Sequence, residues 1–222
     1  MEYEITNAVR VTPSTRIRFK CTGCAECCRH VKQTVPVDSR DAFQITKYLI
    51  ESGEEISCTD QFLVQYAEPA MINECGYFVY FLKTVGPDDD CIFLKDNRCA
   101  IHVAKPRACR VYPFMVEPTA SGEHGYLYSL ERTHHYRGPV VETRSWMKKH
   151  FPKEDRVFLQ ADYSRAPLIV SLLKRIPEER RTTAAIHFHR FLYSAYDLDK
   201  PFLEQYLRNQ EKLLEVLSEM AD

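Results

Sequence analysis

Nine cysteines stand in this 222-residue chain, and seven of them fall into two groups. The first is Cys21-x2-Cys24-x2-Cys27-Cys28, and the second is Cys91-x7-Cys99-x9-Cys109. A two-residue gap lets a tight turn aim both sulfurs at one metal while the intervening backbone N–H groups face the thiolates. Three cysteines at successive two-residue gaps match the run that wraps a [4Fe–4S] cube in bacterial ferredoxins, where a remote cysteine completes the ligation. The same turn also serves tetrahedral zinc. We expect Cys21, Cys24 and Cys27 to share one centre, with the remote group supplying the rest. Cys27 and Cys28 are adjacent, so their side chains are expected to diverge, leaving one for a second metal or as a spare thiol. Cys58 and Cys75 lack partners at ligand spacing and read as small buried hydrophobes.

The surroundings suit thiolates. Arg16, Arg18, Lys20, Arg29 and Lys32 flank the first group, against Glu26 alone, and four basic residues with no acid lie between Arg98 and Arg110. Four thiolates around a zinc ion or an iron cube leave about two net negative charges, which nearby cations stabilise. A solvated basic face explains Arg16 and Lys32 equally well.

The elements that must position these sulfurs are short. Residues 1–20 read as extended, with Arg16 to Lys20 alternating charged and apolar. Thr34 to Val37 is a second extended piece. Asp38 or Ser39 caps a helix running to about Glu51, ended by Ser52-Gly53. A short helix follows over Ser57 to Tyr66. Tyr77 to Leu82 is aromatic and β-branched and reads as a strand. Cys91 to Leu94 and Cys99 to His102 flank Asp96-Asn97, a hairpin turn signal. Thr119 to Gly125 reads as a turn into an extended run from Tyr126 to Leu130. Beyond about Ser145 the pattern is helical: Leu168, Ile169, Leu172, Leu173 and Ile176 fall at helical spacing before Pro177. Leu203, Leu207, Leu214 and Leu217 mark one face of a terminal helix. The expected fold is α+β, mostly helical by residue count, with short strands carrying the second cysteine group. The expected organisation is a metal-binding domain over 1–144 and a helical region over 145–222 packed on it.

Composition sets bounds. A hydrophobic share of 45% and a charged share of 27% support a packed core. A net charge of -1 gives no bulk electrostatic reason to bind nucleic acid. Tyr77 to Leu82, the longest clean apolar run, is far short of the roughly 20 residues that span a bilayer. The opening MEYEITNAVRV lacks a basic-then-apolar leader pattern, so a cytoplasmic, reducing location is expected, where clustered cysteines bind metal more often than they pair. Dinucleotide, P-loop, GxSxG and HExxH signatures are absent, and the x2, x2 spacing differs from the radical S-adenosylmethionine CxxxCxxC.

Taken together, the pieces resemble the YkgJ-like cysteine-cluster family, also called the CxxCxxCC zinc- or iron-chelating domain. The resemblance rests on Phe19-Lys20 with the first cysteine group, on Cys91 to Leu94, on Cys99 to His102, and on Lys105-Pro106-Arg107-Ala108-Cys109-Arg110-Val111-Tyr112-Pro113-Phe114, and it covers roughly residues 16 to 140. It implies metal binding, and a relation to flagellin lysine N-methylase, a group also described as carrying an iron–sulfur cluster. Family members often carry a further cysteine downstream. Here the region from Ser129 to Gly138 has none, and His134 or His135 is the candidate nitrogen ligand, against a plain surface pair.

Three functions follow for testing: an iron–sulfur protein with a redox or enzymatic role, a zinc-stabilised interaction module, and a protein lysine methylase. Ferredoxin-type spacing and the surplus of thiols favour a [4Fe–4S] cluster over zinc. The metal ligands are sought among Cys21, Cys24, Cys27, Cys28, Cys91, Cys99 and Cys109. Arg110 is the candidate cofactor-binding residue, orienting the region beside Cys109. The sequence identifies no partner or substrate protein. His187 and His189, two apart on a helix, point in opposed directions and read as one core and one surface residue. Tyr112, Phe114, Tyr126 and Tyr128 read as core packing.

Overall fold

The computed structural model describes residues 8–119, 124–129 and 133–222. The expected extension of residues 1–7, the middle of the turn before Gly125 and the strand end at Leu130 lie outside the described residues. Among those described, helices take 48% and strands 19%, a mixed α+β chain. The chain forms two compact units, Met1–Cys24 with Arg107–Gln160, and Ala25–Pro106 with Ala161–Asp222. A boundary therefore falls inside the first cysteine group, between Cys24 and Ala25.

In the first unit, strands Ala8–Val11, His124–Ser129 and Phe114–Pro118 form an antiparallel sheet with His124–Ser129 in the middle. Strand Arg16–Arg18 pairs with Val140–Glu142, Ile17 opposite Val141. Helix Thr143–His150 follows directly, tied down by the Thr143 and Arg144 N–H groups donating to Thr15 and Pro13 carbonyls at 3.0 and 2.9 Å. The core collects Val111, Phe114, Met147, Phe151 and Leu159, with Tyr126, Tyr128 and Trp146 packed against it. The aromatics flanking Tyr112 thus serve packing, as their pattern suggests.

In the second unit, Phe78–Leu82 is the middle strand between Pro36–Val37 and Ala67–Met71. Its burial alternates, with Phe78, Tyr80 and Leu82 inward, as a half-buried strand requires. Helix Ser39–Glu51 starts where Asp38 accepts the Asp41 N–H at 2.8 Å, and it ends at Ser52 with Gly53 at φ 87°. Helix Thr59–Tyr66 buries Phe62 and Leu63. Helix Lys153–Arg175 belongs to the first unit up to Gln160 and to the second from Ala161; helices Arg181–His189 and Phe202–Ala221 follow, with Ile169, Phe188 and Tyr206 fully buried. Each such side chain contributes about 1.5–3 kcal/mol on burial.

The terminal helix differs from its apolar pattern. Its buried stripe is Phe202, Gln205, Tyr206, Asn209, Gln210, Leu213, Leu217 and Met220, while Leu203, Leu207 and Leu214 are half-buried. Buried amides turn the stripe: the Gln205 side chain donates to the Asp197, Lys200 and Pro201 carbonyls, and Asn209 donates to the Ala195 carbonyl. His187 and His189 are both half-buried, instead of one core and one surface residue. His189 bridges the Tyr80 hydroxyl at 2.8 Å and Asp60 at 2.7 Å.

Candidate metal centres

Gly23 at φ 69°, between the first and second cysteines, and Ala25 at φ 63°, between the second and third, both take the left-handed conformation and turn the chain on either side of Cys24. For Ala25 this costs about 1–2 kcal/mol. A 3-10 turn over Glu26–Cys28 follows.

That turn sets the Cys27 and Cys28 sulfurs 4.0 Å apart. The expected divergence of these neighbours is not what the backbone makes, because a tight turn rotates successive side chains less than an extended strand does. Arg29 then reaches across to the second cysteine group. Its guanidinium donates to Asp90 at 3.1 Å and to Asn97 at 2.6 Å. The His30 and Val31 N–H groups donate to the Asp88 and Asp89 carbonyls, both at 3.0 Å.

The second group is built on two tiny ribbons. Thr84–Val85 pairs with Asp90–Cys91, Thr84 opposite Cys91. Leu94–Lys95 pairs with Arg98–Cys99, Leu94 opposite Cys99. Asp96 and Asn97, at φ 49° and 56°, make the two-residue turn that their dipeptide signals. The Phe93 and Ile101 N–H groups, each two residues past its cysteine, donate toward the Cys91 and Cys99 sulfurs and favour their thiolates.

The sulfurs of Cys27, Cys28, Cys91 and Cys99 are electrostatically coupled. Cys28 is raised well above the usual thiol range by its hydrogen bond with Cys27, by burial, and by the charges of Cys27, Cys91 and Cys99. Burial pushes Cys91 up to about 11, with Cys99, Cys27 and Asp90 adding to it. Cys99 is raised by burial, with Cys27 adding and Lys105 opposing. Burial and mutual repulsion thus disfavour the thiolates of Cys28, Cys91 and Cys99, and a bound cation opposes both effects.

The first unit holds a different donor set. Strand Arg16–Arg18 and the segment after it are zipped to residues 135–142: the Phe19 N–H donates to the Pro139 carbonyl at 3.1 Å and the Lys20 N–H to the His135 carbonyl at 3.3 Å. Gly138, at φ 103°, lies where an added Cβ would meet the Lys20 Cβ at 2.9 Å. The zipper brings Cys24 beside the 3-10 turn Thr133–His135. Its sulfur lies 3.0 Å from Nε2 of His135 and 3.6 Å from Nε2 of His134. One ligand atom from each of the three lies within 4.8 Å of the others. His135 is 4% exposed, edge-on to Phe19, and its Nδ1 shares a 2.9 Å hydrogen bond with the Tyr112 hydroxyl.

Cys21 is exposed in this same unit, and Cys109 sits half-buried on the short helix Arg107–Val111. Next to it, Arg110 donates to Asp155 at 2.8 Å and to the His150 carbonyl at 3.4 Å. The Asp155 side chain is 1% exposed, so Arg110 neutralises a buried carboxylate. Cys58 precedes helix Thr59–Tyr66, and Cys75 is buried, donating to Asn73 Oδ1 at 2.8 Å. Sequence reasoning named Arg29 as a cation beside the first cysteine group but not its bridge to Asp90 and Asn97, and it read Tyr112 as core packing rather than as a partner of His135. The Cys-Arg-x-Tyr run was the available signal for Tyr112; nothing local marks the distant partners of Arg29.

Among the described residues, Cys24, His134 and His135 are the group whose ligand atoms lie within 4.8 Å of one another, while Cys27, Cys28, Cys91 and Cys99 are electrostatically coupled thiols, a donor chemistry that suits a metal-chelating type of domain. The family model CxxCxxCC, described as "Putative zinc- or iron-chelating domain", matches residues 20–138, more than half of the chain, and the chain belongs to that family. Searches of curated proteins and of solved structures found no match. Among the described residues, no helix is long and apolar enough to cross a membrane.

Proposed function

We propose that the chain is a metal-binding protein in which Cys27, Cys28, Cys91 and Cys99 hold one tetrahedral zinc or iron ion. The observation that carries this is the 4.0 Å between the Cys27 and Cys28 sulfurs. Two thiolates on one zinc, each about 2.3 Å from it, sit about 3.8 Å apart at tetrahedral angles. A [4Fe–4S] cube binds each thiolate through a different iron, which spreads its ligands further. Membership of a family described as zinc- or iron-chelating supports the donor chemistry.

A bound ion here ties the 3-10 turn to both ribbons, so its binding energy is also folding energy. The test is the Cys99→Ser variant. It is expected to lose one metal equivalent and to melt at lower temperature. Unchanged metal content and unchanged melting overturn the reading.

The second reading is a [4Fe–4S] cluster with a redox or enzymatic role, favoured by the two-residue gaps from Cys21 to Cys27. Acid-labile sulfide separates it from a single ion. Protein lysine methylation rests on the family resemblance, and labelled methyl transfer from S-adenosylmethionine to a protein lysine would identify it.

A further inference from the structure

The first unit gathers three candidate ligand atoms, from Cys24, His134 and His135, within 4.8 Å of one another. Two imidazole nitrogens converge on one sulfur, at 3.0 and 3.6 Å. A cysteine thiol can donate to one of them and accept weakly from the other, and the same three atoms are ligand types that a transition metal takes. The His135 ring is buried, and the Tyr112 hydroxyl already engages its Nδ1, so its Nε2 is aimed at Cys24 by the packing around it. Phe19 and Tyr112 both meet this ring edge-on, with centroids 6.3 and 5.7 Å away. The His134 ring lies against it, with centroids 4.1 Å apart. Three ligand atoms this close together, one of them on a buried and packed ring, make room for one cation between them.

We infer that Cys24, His134 and His135 form a second site, for one divalent transition-metal ion, separate from the four-sulfur set. With metal–sulfur and metal–nitrogen bonds of about 2.3 and 2.0–2.1 Å, a tetrahedral ion places sulfur and nitrogen about 3.5 Å apart. The observed 3.0 and 3.6 Å bracket that value. One thiolate and two imidazoles suit zinc, cobalt or copper better than calcium or magnesium. Three donors leave the fourth corner to water, a small ligand or a further side chain. Cys24 and His134 are exposed, so the ion exchanges with solvent. The Nδ1 of His135, bonded to Tyr112, keeps Nε2 as the metal-facing atom, the usual device for fixing a ligand tautomer.

The inference stands apart from the four-sulfur reading, and one experiment separates them. The full chain, freed of metal, is titrated with Co2+ and followed by visible absorption and by proton NMR of the loaded protein. Exchangeable, paramagnetically shifted imidazole N–H signals are expected, since the four-sulfur set has no imidazole. His134→Ala, at an exposed position, is expected to weaken one cobalt equivalent at least tenfold while another is kept, and to remove one shifted signal. In Cys99→Ser the imidazole signals are expected to persist. Identical titrations of His134→Ala and wild type, or no shifted imidazole signal, overturn the second site alone. Cobalt held as before by Cys99→Ser overturns the four-sulfur site, and a chain that binds no cobalt overturns both.

Discussion

The Tyr112 hydroxyl and the Cys24 sulfur grip opposite nitrogens of one buried ring, His135, at 2.9 and 3.0 Å. Tyr112 belongs to the segment that follows Cys109, so a residue next to one cysteine group orients an imidazole beside the other. In the Tyr112→Phe variant the ring keeps its packing and loses its orienting partner. Metal affinity at the Cys24 site is expected to fall about tenfold to a hundredfold. Isothermal titration with Zn2+ checks this, with thermal melting of the metal-free protein as the control for folding. Unchanged affinity would remove Tyr112 from the site.

Arg110 lies beside Cys109 but spends its charge on Asp155, which is 1% exposed. Removing one partner of a buried pair leaves an uncompensated charge and costs about 3–5 kcal/mol. Arg110→Met is therefore expected to destabilise the first unit by about that amount in denaturant unfolding. The double variant Arg110→Met, Asp155→Leu is expected to recover much of the loss. A double variant as unstable as the single would show that the pair is not what Arg110 supports.

Arg29 spans from the Cys27-Cys28 turn to Asp90 and Asn97, one residue before Cys91 and two residues before Cys99. Its ion pair is partly exposed, so Arg29→Ala is expected to cost only about 1 kcal/mol of stability. Its effect on metal is expected to be larger, about tenfold weaker binding at the four-sulfur set, because the turn is no longer held against the ribbons. Competition with a chromophoric chelator measures this; a stability loss with no change in affinity would count against the clamp.

His124 is held below its ordinary value by burial, then by the positive charges of Arg156 and Arg107. The unfolded chain takes this proton near pH 6.5 and the folded one only at lower pH. The unfolded state thus binds more protons in that window, and stability falls as pH drops below about 6.5. Melting of the metal-free protein at pH 7.5 and 5.5 is expected to show the loss, and His124→Phe, which keeps the edge contact with Phe151, is expected to reduce it. Equal pH dependence in both proteins would place the proton elsewhere.

Local signals carried much of the architecture. Asp38 caps its helix, Asp96-Asn97 turns its hairpin, and Phe78–Leu82 alternates in burial, because each depends on chemistry within a few residues. Pairings over long separations were not legible. Nothing near Ile17 announces that its partner is Val141, and that pairing is what carries Cys24 to His134 and His135. The terminal helix misled because Gln205, Asn209 and Gln210 are buried through hydrogen bonds that an apolar count does not register. The candidate ligands were visible as residue types, while the nearness of Cys24 to His134 and His135 was not. A boundary after Cys24 divides a run whose even spacing suggests one centre.

The central claim, that sulfur and imidazole donors here hold single ions, is tested most directly by metal and acid-labile sulfide content. The full chain is purified without oxygen after iron-supplemented expression, and metal and sulfide are counted per chain. The predicted result is two equivalents of zinc or iron and no sulfide. Four irons with matching sulfide per chain, in a brown protein with a thiolate-to-iron charge-transfer band, would contradict it.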